Sequence, residues 1–117
     1  VHIVLEEAGL PYHATMIDLT KGEHRTPEFL ALNPFGKAPV MRDPDGPGGR
    51  PLVLAEPLAM AWYVAVKGAN GLISDDPAVR AEQMMWAAAI SSSVAMPFAM
   101  QFFATQLAPT PDPWLIE

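Results

Sequence analysis

The chain contains no cysteine. That removes disulfides, thiolate metal sites and a cysteine nucleophile from these residues, and it suits a reducing compartment. Basic residues are few. Seven Lys and Arg stand against 13 Asp and Glu, for a net charge of −6, and the seven form no run. Such a surface makes nucleic acid and anionic membranes poor partners. No run of apolar residues approaches the ~18 that a bilayer span requires, so no span is expected. The opening "VHIVLEEAGLPY" lacks the basic head and small-residue cleavage site of an export signal. Metal chemistry is not expected either. His2, His13 and His24 have no ligand spacing, and the calcium-like "DPDGPGG" carries Leu54 where a calcium loop starting at Asp43 needs its bidentate Glu.

Proline, by contrast, is abundant: 13 in 117 residues, roughly twice the usual ~5% share, which implies many short elements with sharp boundaries. Half of the residues are apolar and 17% are charged, a globular composition in a chain long enough to build a core. Because the chain opens on valine and stops at "PWLIE", it is expected to be a fragment.

Val1, Val4, Leu5 and Ala8 lie at helical spacing ahead of Gly9 and Pro11, which predicts a helix over 1–9. "YHATMIDL" (12–19) has strand composition. "KGEHR" is a polar loop. In "TPEFLALN", Thr26 is the expected N-cap, Pro27 the first helical residue and Asn33-Pro34 the stop. "APVMRD" and "PLVLA" read as strands joined by a turn-rich hairpin loop. Residues 57–67 predict a helix that buries Leu58, Ala61, Trp62 and Ala65 and stops at Gly68. After the connector "GANGLIS", Asp76-Pro77 opens a long apolar helix reaching at least Ser91, kinked near Pro97 and ending in a proline-rich loop. One more strand before Val1 would complete a βαβ–α–ββα order. The expected fold is therefore α/β, a layered domain followed by a helical segment.

"LNPFGKAPV" is the most informative stretch. Asn33-Pro34 ends a helix, Gly36 permits a tight turn, and Pro39 enters a strand where no ladder donor is needed. An Ala38–Pro39 bond in that setting is a candidate cis peptide, which would leave the Ala38 backbone free to pair with an extended, peptide-like ligand. His24, Arg25 and Lys37 cluster near the same edge and could hold a carboxylate; solvated loop charges are the competing reading. Glu6-Glu7 diverge on a helix and make no acid–base pair. The Met-rich 84–100 segment packs between helices or lines an apolar substrate pocket.

"VHIVLEEAGLPY", "IDLTKGEHRTPEFLALNPFGKAPVM" and "EPLAMAWYVA", followed by the start of a helical segment, closely resemble glutathione S-transferases, particularly the bacterial and phi/theta-like groups. The resemblance implies a partial thioredoxin-like glutathione-binding domain at 1–68, a linker at 69–75 and the start of an all-helical domain at 76–117. It implies glutathione as co-substrate, a small electrophile as second substrate, a homodimer and a cytoplasmic location. By the same resemblance, His24, Arg25 and Lys37 meet the glycine carboxylate. The Ala38 backbone, ahead of Pro39, pairs with the cysteinyl unit, and Glu56 meets the γ-glutamyl end. The thiol-activating Ser, Tyr or Cys would lie in a loop before Val1, so the catalytic residue is not among these 117.

The chain departs from the family pattern at one place. Where the third helix of the family starts with an acid or glutamine followed by serine, this sequence has Glu56-Pro57. Proline is a sound helix start but supplies neither the hydroxyl nor the N–H that serine offers a carboxylate. Two readings follow: a glutathione transferase, or a transferase-like binding module whose glutathione site Pro57 has weakened.

Overall fold

The computed structural model describes residues 1–69 and 71–107, so the expected proline-rich ending and Asn70 of the connector lie outside the described residues. The chain divides into two compact units, Val1–Ser74 and Asp75–Glu117.

In the first unit, α1 (His2–Ala8) closes at Gly9. A single tight turn spans Glu23–Arg25. Helix α2 (Pro27–Leu32) starts as expected, the Thr26 side chain accepting from the Phe29 N–H at 3.3 Å. Strands β1 (Met41–Asp43) and β2 (Leu52–Leu54) pair antiparallel, with Met41 opposite Leu54 and Asp43 opposite Leu52. Alternation turns these four residues to the half-buried face and leaves Arg42 and Val53 exposed. Helix α3 (Pro57–Gly68) follows and packs against α1.

The core is small: Phe29 from α2, and Met60, Val64 and Ala65 from α3. Burial of side chains such as Met60 and Val64 contributes about 1.5–3 kcal/mol each. Of the α3 residues expected inside, only Ala65 is fully buried; Leu58, Ala61 and Trp62 are half-buried. The inward stripe is set by Met60 and Val64, one turn apart, so the helix is rotated relative to the sequence expectation.

Residues 12–19 do not form the expected strand. β-type composition stabilises a strand only through a partner, and among the described residues none pairs with this segment. Gly68 also differs from expectation. It is the last residue of α3, and the left-handed cap is Ala69, at φ 49°. Gly68 serves packing instead. A Cβ there would stand 2.6 Å from the Ala8 Cβ and 3.1 Å from its Cα, so α1 and α3 meet where neither can carry more bulk. Gly68→Ala is expected to destabilise the full-length protein by about 1–3 kcal/mol through overpacking. An unchanged denaturation midpoint would contradict this helix contact.

The described residues of the second unit form one helical run. Asp76 caps α4 (Pro77–Ile90), its Oδ1 accepting from the Ala78 and Val79 N–H groups at 2.8 and 3.3 Å. A wide turn over Ser91–Ala95 leads into α5 (Met96–Phe102), and a second covers Phe103–Leu107. The expected kink at Pro97 takes the form of the first wide turn. Proline cannot donate to the carbonyl one turn back, and the register slips so that the Met96 N–H bonds the Ser91 carbonyl, five residues earlier. The run Pro77–Thr105 is 29 residues and, by length and composition alone, long and apolar enough to cross a membrane. The sequence expectation of no span counted unbroken apolar letters. Ser91–Ser93 and Gln101 interrupt those letters without adding charge.

Candidate functional site

Asn33 organises the loop that leads to the candidate site. It is fully buried, and every polar group it owns is used. Its N–H donates to the Phe29 carbonyl at 2.9 Å, and its carbonyl accepts from the Gly36 N–H at 3.0 Å. Its side-chain oxygen accepts from the Phe35 N–H at 3.1 Å, and its amide nitrogen donates to the Lys37 carbonyl. One side chain thus turns residues 34–37 back on the end of α2.

Gly36 completes the turn at φ 58°, a left-handed conformation that side chains resist. It is also closely approached: a Cβ at Gly36 would lie 3.3 Å from the His24 carbonyl and 3.4 Å from Arg25 Cδ. The His24–Arg25 turn therefore packs on the residue next to Lys37. His24 is half-buried, and its Nδ1 is shielded from solvent without a hydrogen-bond partner. Arg25 and Lys37 are exposed, and neither enters an ion pair among the described residues.

The Ala38–Pro39 peptide is cis. Both residues are exposed, and the Ala38 N–H and carbonyl are unpaired among the described residues. Met41, two residues after Pro39, pairs with Leu54, two residues before Glu56. The Ala38–Pro39 and Glu56–Pro57 segments therefore leave the hairpin at the same end. Glu56 stands before the helix with its side chain exposed and capping nothing, while its carbonyl accepts from the Met60 N–H at 3.0 Å. Pro57 brings no donor. The Leu58 and Ala59 N–H groups of the first turn point out of the helix without a cap, at the positive end of the helix dipole.

These segments offer cationic groups packed beside Gly36, an open backbone at Ala38, and a carboxylate beside unsatisfied N–H groups at the start of α3. They suit a short, extended peptide-like molecule with anionic ends and an ammonium group. No group of three or more His, Asp or Glu capable of holding a metal occurs among the described residues.

Two polar clusters had escaped the sequence reading. Asp18 and Glu23 hold the loop ahead of His24; the signal available was Asp18-x-Thr20, a pattern of side chains that bond their own backbone. The other ties the hairpin to α3. The half-buried Asp43 carboxylate accepts from the Tyr63 hydroxyl at 2.6 Å and from the Lys67 ammonium, which also donates to the Asp45 carbonyl at 2.9 Å. No sequence pattern links residues 20 and more apart in this way.

Lys67, then Tyr63, hold the Asp43 carboxyl below its ordinary 3.8. The same contacts raise Lys67 above 10.5 and Tyr63 above 10.0. A lowered carboxyl contributes stability in full above its ordinary value and loses it as pH falls through the folded value. The raised Lys67 and Tyr63 contribute below their ordinary values and lose that contribution as pH rises through the folded ones. Asp43→Asn is therefore expected to lower the melting temperature at neutral pH, and the gap to the native protein to narrow as pH falls below 3.8 and close below the folded value. A constant gap between the two across melts at pH 2–7 would contradict the pairing.

Comparison with known proteins finds a matching family model, similar sequences and similar solved structures. Residues 1–67 match the model of the glutathione S-transferase N-terminal domain. A probable glutathione S-transferase of Oryza sativa subsp. japonica (GSTF2) is 43% identical over 72 residues, 62% of this chain and 31% of the relative. The disulfide-bond oxidoreductase YfcG of Escherichia coli K12 is 39% identical over 88 residues, 74% of this chain and 40% of that one. Among solved structures, a glutathione transferase from Burkholderia graminis, with two glutathione molecules bound per subunit, superposes with a TM-score of 0.81. It is 38% identical, and the match covers 91% of this chain and 44% of that one. A family member from Pseudomonas fluorescens, also with two glutathione bound, gives a TM-score of 0.80 at 34% identity and covers 97% of this chain. That coverage takes in the Pro77–Thr105 helix as well as the α/β unit. The chain spans about a third to a half of the length of these relatives. With a family model matched over more than half of its residues and the α/β-then-helical order of the fold, the chain belongs to the glutathione S-transferase family.

Proposed function

We propose that the full-length protein binds glutathione and uses its thiol on small electrophilic or disulfide substrates. The observation that carries this reading is the unpaired Ala38 backbone ahead of a cis proline, at the end of the β1–β2 hairpin from which the open first turn of α3 also starts. Glutathione, γ-Glu-Cys-Gly, is an extended peptide with carboxylates at both ends and an ammonium at one. In this reading the cysteinyl unit pairs with Ala38 ahead of Pro39. The glycine carboxylate meets His24, Arg25 and Lys37, and the γ-glutamyl end meets Glu56 and the Leu58 and Ala59 N–H groups. These residues bind and orient; the chemistry of the sulfur is assigned to none of them. The reading includes a homodimer and a cytoplasmic location, with neither nucleic acid nor membrane as partner.

Pro57 favours the alternative, a transferase-like binding module in which glutathione is held too weakly for turnover. Calorimetric titration of glutathione into the full-length protein separates the two. Saturable binding supports the enzyme, and silence supports the module.

A further inference from the structure

Glu23 is engaged through its carboxylate, its N–H and its carbonyl, all with neighbours in its own loop. Its carboxylate Oε2 accepts from the Asp18 N–H at 2.7 Å, and its own N–H donates to the Asp18 carbonyl at 3.2 Å. The two residues thus close both main-chain groups of Asp18, as a single rung of sheet would. The Glu23 carbonyl in turn accepts from the Thr26 hydroxyl at 3.2 Å. Asp18 is fastened from the other side: its Oδ1 accepts from the Thr20 N–H at 2.9 Å, the Thr20 hydroxyl at 2.6 Å and the Lys21 N–H at 3.3 Å. Lys21 Nζ lies 3.2 Å from Asp18 Oδ2. These contacts, the Thr20 hydroxyl first, hold the Asp18 carboxyl below its ordinary value.

Without this clamp, residues 18–25 are a polar loop containing Gly22, with no strand or long helix to order them. With it, the His24–Arg25 turn is pressed on Gly36, beside Lys37. A loop that must be ordered on binding costs affinity, whereas one ordered beforehand does not. The carboxylate of Glu23 is taken up by the Asp18 N–H, and Arg25 enters no ion pair among the described residues.

We infer that the reciprocal Asp18–Glu23 clamp is a positioning device that pre-orders His24 and Arg25 for the anionic glycine end of the ligand. The inference rests on the glutathione reading above. Glu23 touches no ligand and acts through His24 and Arg25.

The test is calorimetry on the full-length protein with two ligands, glutathione and γ-glutamylcysteine, which lacks the glycine. Glu23→Ala removes the acceptor for the Asp18 N–H; Glu23→Gln keeps an oxygen in its place. Glu23→Ala is expected to weaken glutathione roughly tenfold and to leave γ-glutamylcysteine within about twofold, with Glu23→Gln restoring most of the loss. In a His24→Ala, Arg25→Ala background the same change is expected to be silent, because coupled residues are not additive. Equal weakening of both ligands would reduce Glu23 to a residue of general stability and overturn the proposal. So would no weakening of either. If the native protein bound both ligands equally, the glycine end would not be held by His24 and Arg25, and the proposal would fall while glutathione binding stood. If the native protein bound neither ligand, the glutathione reading itself would fall, and the proposal with it.

Discussion

Replacing Asn33 with alanine is expected to destabilise the protein by about 3 kcal/mol, because two backbone groups beside a fully buried side chain lose their partners at once. The Phe35 N–H loses its acceptor and the Lys37 carbonyl loses its donor. Each such orphan costs about 1–3 kcal/mol, against a total stability of roughly 5–15 kcal/mol for an ordinary domain. Asn33→Asp should do no better. It keeps an acceptor for Phe35 but turns an oxygen toward the Lys37 carbonyl and places a charge where no water reaches. Chemical denaturation of the full-length variants measures the effect. A loss below about 0.5 kcal/mol would mean that the 34–37 loop is held by the backbone alone. Because this loop carries Gly36 and Lys37 and leads into Ala38, the same variants are expected to lose ligand affinity before they unfold.

Much of this arrangement can be read directly from residue order. Thr26-Pro27 and Asp76-Pro77 announce helix starts because a short polar side chain and a proline are the local solution to the same problem, the unpaired N–H groups of a first turn. "NPFGKAPV" announces a tight turn and an exposed backbone because Gly36 permits a left-handed turn and Pro39 fixes its own φ and carries no donor. Long-range features are less legible. Residues 12–19 carry strand composition, but a strand exists only beside its partner. Which face of α3 turns inward depends on what α1 presents to it, and the sequence of α3 alone favoured Trp62 over Met60. Asn33 was legible as a helix stop but not as a buried hub, since burial follows from the packing of the loop around it. Likewise Asp43 reads as a turn former, and only the fold brings Tyr63 and Lys67 to it.

Pro57 is where local structure and proposed chemistry pull apart. As the first residue of α3 it is favourable: its fixed φ suits the helix, and its missing N–H would have had no helical partner. As a neighbour of a ligand carboxylate it is a loss, for it provides neither hydroxyl nor N–H. Each hydrogen bond to a charged group contributes about 1.5–3 kcal/mol. The Leu58 and Ala59 N–H groups offset part of this, leaving a deficit of about 2 kcal/mol, or roughly thirtyfold in affinity. Pro57→Ser is therefore expected to tighten glutathione binding by roughly thirtyfold while changing stability by less than about 1 kcal/mol. No change in affinity would show that the γ-glutamyl carboxylate is held elsewhere.

The most direct test of the whole account is the binding of glutathione itself to the full-length protein, measured by calorimetric titration. The account predicts saturable binding with a Kd of about 1 mM or tighter, at least about 4 kcal/mol of binding free energy. Absence of heat, and of competition by a glutathione conjugate, up to tens of millimolar would contradict it. Pro57 would then have dismantled the site that the Ala38 backbone and the first turn of α3 still outline.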